Sequence, residues 1–347
     1  MSTGLVIGKF YPPHKGHKYL IQTAEKQVDH LVVVVCDLDT QEIPADLRAK
    51  WLQEIHPSVE VMVVKDIGKD GDSEAWAKYT REFLGYAPDI VFTSEDYGHD
   101  YARFLGAKHV LVDKERVNVP ISATKIRNDV FAHWDYLESC VKKHFAKRIV
   151  VLGAESTGTT TLSRSLAEYY QTAWVPELGR FYSEGKLPSI NAEKWATTEF
   201  VDIADLQNKF EDSLAGICNK VLICDTDSFA TSLWHERYVG EKSTQVENLN
   251  RDRDYDLYIL TADDIPFVQD GLRDGEHIRH WMHERFIEEL QKQNKNFIIV
   301  SGTHENRMGI ATRKIDELLE TEKFFSKNQK TMADMSLPLL SCDKAVI

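Results

Sequence analysis

Cysteine is sparse and unpaired by spacing: Cys36, Cys140, Cys218, Cys224 and Cys342 form no Cys-x-x-Cys motif, and five is an odd number. Cys36 and Cys224 end apolar runs, so the expectation is buried free thiols in a reducing cytoplasm. Long hydrophobic runs are also missing. The longest obvious one, Leu31 to Cys36, has six residues, too few to span a bilayer. The N-terminus reads straight into a strand, with no basic n-region or cleavage site. Positive charge is in deficit: 42 Lys and Arg against 55 Asp and Glu leave a net charge of −13. A dedicated nucleic-acid binder needs clustered cations on its surface. A nucleotide site needs only a few placed charges in a cleft, and it survives this exclusion. There is no internal repeat, no low-complexity tract and no long Gly/Ser linker.

What is present suits a globular enzyme. The 347 residues favour two domains, and 42% apolar with 28% charged content is ordinary for such proteins. Short β-branched runs alternate with longer amphipathic stretches. Strands are expected at 5–7, 31–35, 59–64, 90–93 and 110–112, then at 149–152, 221–224, 257–260 and 297–300. Continuous apolar strands of this kind are covered on both faces, so each half reads as α/β with a mainly parallel sheet. A basic helical end (Lys142, Lys143, His144, Lys147, Arg148) meets a new strand. That puts the expected boundary near 145–148, with domains 1–146 and 147–347.

The stretch GKFYPPHKGH follows the first strand. Gly8, Pro12 and Pro13 fix a turn, and His14, Gly16 and His17 form H-x-G-H. Gly16 lets the backbone approach a ligand. Lys9, beside Phe10, and the two histidines can converge on a polyphosphate and donate to its charge. Downstream, ISATKIR (121–127) starts a helix after the fifth strand: Ser122 and Thr124 can cap it, and Arg127 is a strong phosphate ligand. This ordered pair of motifs resembles the nucleotidyltransferase superfamily, and within it the nicotinamide mononucleotide (NMN) adenylyltransferases, over roughly residues 1–135. The resemblance implies direct attack of the NMN phosphate on the α-phosphate of ATP, with Mg²⁺ and pyrophosphate as leaving group. It assigns His17 to the transition state, and His14, Lys9 and Arg127 to the triphosphate. For the cationic nicotinamide ring, Trp76 offers a π-face. Trp51 shares helical spacing with Leu47, Leu52 and Ile55 and reads as core. Arg48 is a candidate for phosphate. TSEDYG (93–98), with Ser94 and Tyr97, lies at a strand's carboxyl edge, beside a ribose.

The second half opens with KRIVVLG, then AESTG, then the helix TTTLSRSLAEYY. Gly153 and Gly158 have the spacing of a phosphate-binding loop, and Glu155, Ser156, Thr157, Thr159, Thr160 and Thr161 complete it. The lysine that usually follows the second glycine is Thr159. Thr160 occupies the Mg²⁺-binding position, and Asp225 and Asp227 end a later strand, where such enzymes keep a metal carboxylate or general base. Arg273 and Arg279 fall in a segment suited to a mobile lid. Arg180 (in PELGRFY) and Arg164 are further cations that could replace the lysine. SGTHENR is placed near adenine by position alone.

The order of the halves, with DTD…WHERY and DIPFVQDGLRD, resembles the bifunctional NMN adenylyltransferase/ribosylnicotinamide kinase family over nearly the whole chain. The implied architecture is a Rossmann-like nucleotidyltransferase domain followed by a P-loop kinase-like α/β domain. The implied chemistry is phosphorylation of nicotinamide riboside to NMN, then adenylylation to NAD, with ATP as co-substrate. Some members carry an N-terminal helix-turn-helix and repress transcription. This chain begins at the catalytic strand, so that module and role are not expected. Losing a lysine contact to the transferring phosphate costs about 3 kcal/mol. The alternative to a kinase is therefore a nucleotide sensor that regulates the first domain or a partner such as a riboside transporter. A narrower alternative changes the acceptor of the first reaction to pantetheine phosphate or a pyrimidine-nucleotide-linked substrate. A homo-oligomer fits either reading; nucleic acid and membrane do not.

Overall fold

Valines 32 to 35 are all within 1% of full burial, which a strand achieves only when helices cover both faces of its sheet. The computed structural model describes residues 1–325, and Cys342 lies outside them. By internal contacts the chain forms two units.

The first unit has five parallel strands: β1 (Thr3–Gly8), β2 (His30–Asp37), β3 (Glu60–Lys65), β4 (Ile90–Thr93) and β5 (Lys108–Leu111). Their order is β3-β2-β1-β4-β5. The helices are α1 (Lys15–Glu25), α2 (Ala45–Ile55), α3 (Ser73–Leu84), α4 (Gly98–Leu105) and α5 (Ala123–Asn128). Alternation along β2 divides the core by face. Val33 and Val35 pack with Leu20, Ile21 and Leu52 of α1 and α2, while Val32 and Val34 pack with Ala77, Tyr101 and Leu105 of α3 and α4. Strand order reverses at β1, so a crevice opens beyond the carboxyl ends of β1 and β4.

The second unit begins earlier than the composition implied, at Leu137. The basic stretch is the last turn of α6 (Ser139–Phe145), whose Lys142, Lys143 and His144 suit a helix C-terminus. Val141 and Phe145 are buried, and Ser139 Oγ donates to the Gly216 carbonyl at 2.8 Å. The unit also ends early, at Glu322, and Lys323, Phe324 and Phe325 belong to the first unit. In between lie β6 (Lys147–Gly153), α7 (Thr159–Tyr170), β7 (Trp174–Val175), α8 (Leu178–Lys186), α9 (Thr197–Leu214), β8 (Val221–Asp225), α10 (Ser228–Val239) and α11 (Thr244–Arg251). They are followed by β9 (Leu257–Thr261), α12 (Arg279–Lys292), β10 (Phe297–Val300) and α13 (His304–Thr321). The parallel sheet has order β10-β9-β6-β8-β7. β7 is too short, at two residues, to leave a periodic signal, and it was not among the expected strands. The nine expected strands are all present.

Among the described residues no helix is long and apolar enough to cross a membrane. The four described cysteines, Cys36, Cys140, Cys218 and Cys224, are all buried.

Candidate active sites

In the first unit, β1 delivers Gly8 to the crevice and α1 starts at Lys15 with His14 as its cap. The cap is the imidazole itself: His14 Nδ1 accepts from the N–H groups of Gly16 (3.0 Å) and His17 (3.3 Å). This fixes the tautomer, with the proton on Nε2. His14 Nε2 and His17 Nδ1 are both buried without a hydrogen-bond partner. The rings stack at 3.7 Å, and Phe10 meets His17 edge-on at 5.0 Å. A side chain at position 16 would come within 2.9 Å of the His14 ring, so the glycine of H-x-G-H is what allows the cap. Burial first, then His17, Arg116 and Arg127, hold His14 well below the usual histidine range. Burial and Arg116 lower His17 to about 3. Both rings are therefore neutral at pH 7.

These histidines line a cavity of about 700 Å³ with Gly8, Lys9, Phe10, Gly16, Trp76, Ser94, Tyr97, Ser122, Thr124 and Arg127. All the expected residues of this half meet there except Arg48. Ser122 caps α5 through Lys125 N–H (3.3 Å). Arg127 donates to the Tyr11 carbonyl (2.7 Å) and to Thr124 Oγ1 (3.1 Å). Lys9 faces Asp66 at 3.9 Å and Asp70 at 3.6 Å. Arg116 also lines the cavity, in a loop that Asp113 ties through the N–H groups of Val117, Asn118 and Val119. Nothing in its local sequence marked it.

The expectation of substrate binding by Arg48 is corrected. It is fully buried, and its guanidinium donates to the carbonyls of Ile43 (3.1 Å), Cys36 (3.3 Å) and Lys9. It braces the loop that carries the site. Replacing it with Met would strand these acceptors. We expect a loss of about 2–4 kcal/mol, read as a lower urea midpoint for the first unit.

In the second unit Gly153 ends β6, and a Cβ there would lie 2.2 Å from Thr261 Oγ1. Gly158, at φ 86°, starts α7. Gly153, Glu155, Ser156, Thr159 and Thr160 line a cleft with Asp225, Glu177, Arg180 and Arg273. Asp225 is 1% exposed and its Oδ2 has no hydrogen-bond partner. Burial pushes its carboxyl up, and the nearby hydroxyls of Thr160 and Thr159 partly offset this. Glu177 is pushed up by burial and by Asp225. Asp225 is buried and Glu177 half-buried in the same cleft, and two carboxylates so close resist simultaneous ionisation. Nothing local in PELGRFY marks Glu177; its role depends on Asp225, a neighbour from a distant strand. The far end of the cleft is aromatic: Trp195, Phe200, Trp234 and Tyr238, with Trp195 5.2 Å from Phe200 and 5.3 Å from Tyr238. These residues come from α9, α10 and the segment before α9, so no local spacing connected them.

The segment before α12 lies on the phosphate loop. Glu155 accepts from the N–H groups of Asp274 (3.1 Å) and Gly275 (2.8 Å), and Ser156 Oγ accepts from Val268 N–H (2.8 Å). Arg273 enters the cleft and Arg180 faces it, both pairing with Asp270 (3.4 and 2.9 Å).

Other expected residues of this half have different work. Asp227 is fully buried, caps α10 through Ala230 N–H (2.9 Å) and accepts from Tyr258 Oη (2.9 Å). It is a capping residue and not a catalytic one. Arg279 lies outside the cleft lining, donating to the carbonyls of Ile265 (2.9 Å) and Ser156 (3.4 Å). It supports the loop and does not close over a ligand. Arg164 lies over the Trp174 ring at 4.5 Å. Thr157 bonds the Ala154 carbonyl and Thr261, both at 2.7 Å, and Thr161 is exposed. In SGTHENR, Arg307 donates to the Thr157 carbonyl at 2.5 Å and pairs with Asp264.

Comparison with known proteins agrees with this division. Residues 5–129 match the Cytidylyltransferase-like family and residues 148–307 the AAA domain family. The Trifunctional NAD biosynthesis/regulator protein NadR of Escherichia coli (strain K12) is 30% identical over 323 residues, covering 86% of this chain and 78% of that protein. Its namesake in Salmonella typhimurium (strain LT2) is 30% identical over 318 residues, covering 84% and 77%. Two solved structures share the fold at 21% identity. A NadR protein in complex with NAD and AMP-PNP has a TM-score of 0.70, covering 92% of this chain and 97% of that one. A NadR protein in complex with NR has a TM-score of 0.75, covering 93% and 97%.

Proposed function

The chain belongs to the family of the NadR NAD biosynthesis/regulator proteins, with a nucleotidyltransferase unit and a kinase-like unit, and on that premise we propose that it makes NAD from nicotinamide riboside in two steps. The second unit phosphorylates the riboside to NMN, and the first transfers the adenylyl group of ATP to NMN. The observation that carries the first step is the convergence of His14, His17, Arg116 and Arg127 on one cavity.

In adenylyl transfer an NMN phosphate oxygen forms a bond to the α-phosphorus of ATP, and the bond to the bridging oxygen of pyrophosphate breaks. Arg127, Arg116 and Lys9 supply positive charge to the triphosphate. His17 and His14 present N–H donors already fixed by their stack and cap, so little reorganisation is needed as charge develops. Trp76 offers the nicotinamide ring a face.

For the kinase step, Mg²⁺ fits the oxygen donors at hand, the Thr160 hydroxyl and the Asp225 carboxylate, whose Oδ2 is unpartnered. Among the described residues no group of three or more His, Cys, Asp or Glu is placed to hold a metal, as suits an ion that takes most of its ligands from phosphate and water. Bound there, Mg²⁺ would neutralise phosphate charge. Glu177 would take the proton of the riboside hydroxyl, and the aromatic end would receive the cationic ring. Arg180 and Arg273 are the lining arginines able to supply the charge that Thr159 lacks.

One incubation tests both halves: nicotinamide riboside with Mg-ATP, beside an NMN-fed control, with mass-resolved detection of NMN and NAD. NAD in both arms is the expected result. NAD from NMN alone would mean that the lysine-less loop binds nucleotide without transferring phosphate, as a sensor does. No NAD in either arm would sink the adenylyltransferase reading. Adding pantetheine phosphate as a competing acceptor should leave NAD formation unchanged.

A further inference from the structure

We propose that Phe325 is a positioning residue for adenylyl transfer: it braces Tyr11, and Tyr11 sets where Arg127 meets the triphosphate. The inference rests on the adenylyltransferase reading above. Phe325 follows α13 in sequence, yet it belongs to the first unit. It is 9% exposed, and its ring meets the Tyr11 ring at 5.3 Å and 77°. The neighbouring Phe324 packs against Phe131 in the same edge-to-face manner, at 5.3 Å and 79°. Two adjacent aromatic contacts thus anchor this segment.

Tyr11 is the hub on the other side of that contact. Tyr11 is 3% exposed and lines the first cavity. Arg127 lies over the ring at 5.5 Å and donates to the Tyr11 carbonyl at 2.7 Å. Arg48 lies over the same ring at 5.6 Å. The hydroxyl donates to the Glu42 carboxylate and accepts from Glu42 N–H at 3.0 Å. One aromatic ring therefore attracts two guanidinium groups that repel each other. Where the ring sits decides how far Arg127 reaches into the cavity. Phe325 covers that ring, and removing it frees Tyr11 to shift with both cations.

Arg127 grips the triphosphate before and during reaction, so weakening its approach should act on ATP binding more than on turnover. Phe325→Ala should raise KM for ATP about fivefold, from the typical strength of an aromatic pair. KM for NMN and kcat should change less than twofold. Phe325→Tyr, which keeps the ring, should restore KM. In a Tyr11→Leu background Phe325→Ala should have no further effect on KM. A merely structural role would instead lower kcat through loss of folded protein and leave KM for ATP in place. That result, an unchanged KM, or additive effects of Tyr11→Leu and Phe325→Ala would each overturn the proposal. No NAD from the wild-type chain and NMN would overturn it together with the adenylyltransferase reading. NAD formation by the wild type with an unmoved KM in Phe325→Ala would overturn this inference alone.

Discussion

Replacing His17 with alanine should lower kcat for NAD formation from NMN by about two to three orders of magnitude, with KM for ATP changed far less. Steady-state NAD production from NMN and Mg-ATP checks this. The size follows from the surroundings. His17 is half-buried, with its Nδ1 shut off from solvent, and it is stacked on His14 and flanked by Phe10, so a bond it makes to developing phosphate charge is less screened than one in open water. His17→Gln keeps a donor and much of the volume, and it should retain more activity than alanine. Loss of His17 with no effect on turnover would remove it from the reaction.

The same ring carries a pH dependence of stability. His17 is held at about 3 in the folded protein against about 6.5 unfolded. The unfolded chain therefore takes up a proton that the folded chain refuses. The contribution is complete above pH 6.5 and is lost as pH falls toward 3, with a slope of at most about 1.4 kcal/mol per pH unit. Urea midpoints of the first unit should fall between pH 7 and pH 5. The fall should be shallower in His17→Ala.

Glu177→Gln should reduce riboside phosphorylation by about a thousandfold, the range of a lost general base, and leave NMN adenylylation intact. Asp225→Asn should be as damaging, with its loss appearing as a raised Mg²⁺ requirement. Direct measurement of NMN formation at varied Mg²⁺ separates the two roles. Burial raises both carboxyls, so the wild-type rate should climb with pH around neutrality as the base ionises. The linkage for Glu177 has the opposite sign to that of His17. A carboxyl raised in the folded state stabilises the fold at low pH, and that contribution disappears as pH rises through its folded value. Glutamine never ionises, so Glu177→Gln should raise the unfolding midpoint of the second unit at pH 8 even as it lowers its activity. Full kinase activity in Glu177→Gln would return the base role to Asp225 alone.

Much of this protein is determined by local signals in its sequence. β-branched runs specified parallel strands covered on both faces. Gly16 between two histidines, and Ser122 at a helix start, gave caps whose geometry is set within a few residues. Gly153 and Gly158 marked the phosphate loop in the same way, because a tight turn out of a strand depends on glycine at particular steps. Tertiary packing alone decided the destination of the long charged side chains. Arg48, Asp227 and Arg279 carry the same chemistry as Arg127, Asp225 and Arg273. The first three line neither cavity and meet backbone carbonyls, a helix N-terminus or a buried tyrosine, whereas Arg127 and Arg273 each donate to a carbonyl and still line a cavity. Arg116, Glu177, the four-aromatic end of the second cleft, and Phe325 against Tyr11 are all assembled across distant segments. Sequence spacing encodes which backbone turns can form. It does not encode which buried polar group is left needing a partner once the elements pack, and that need decides whether a charge faces the ligand or the core.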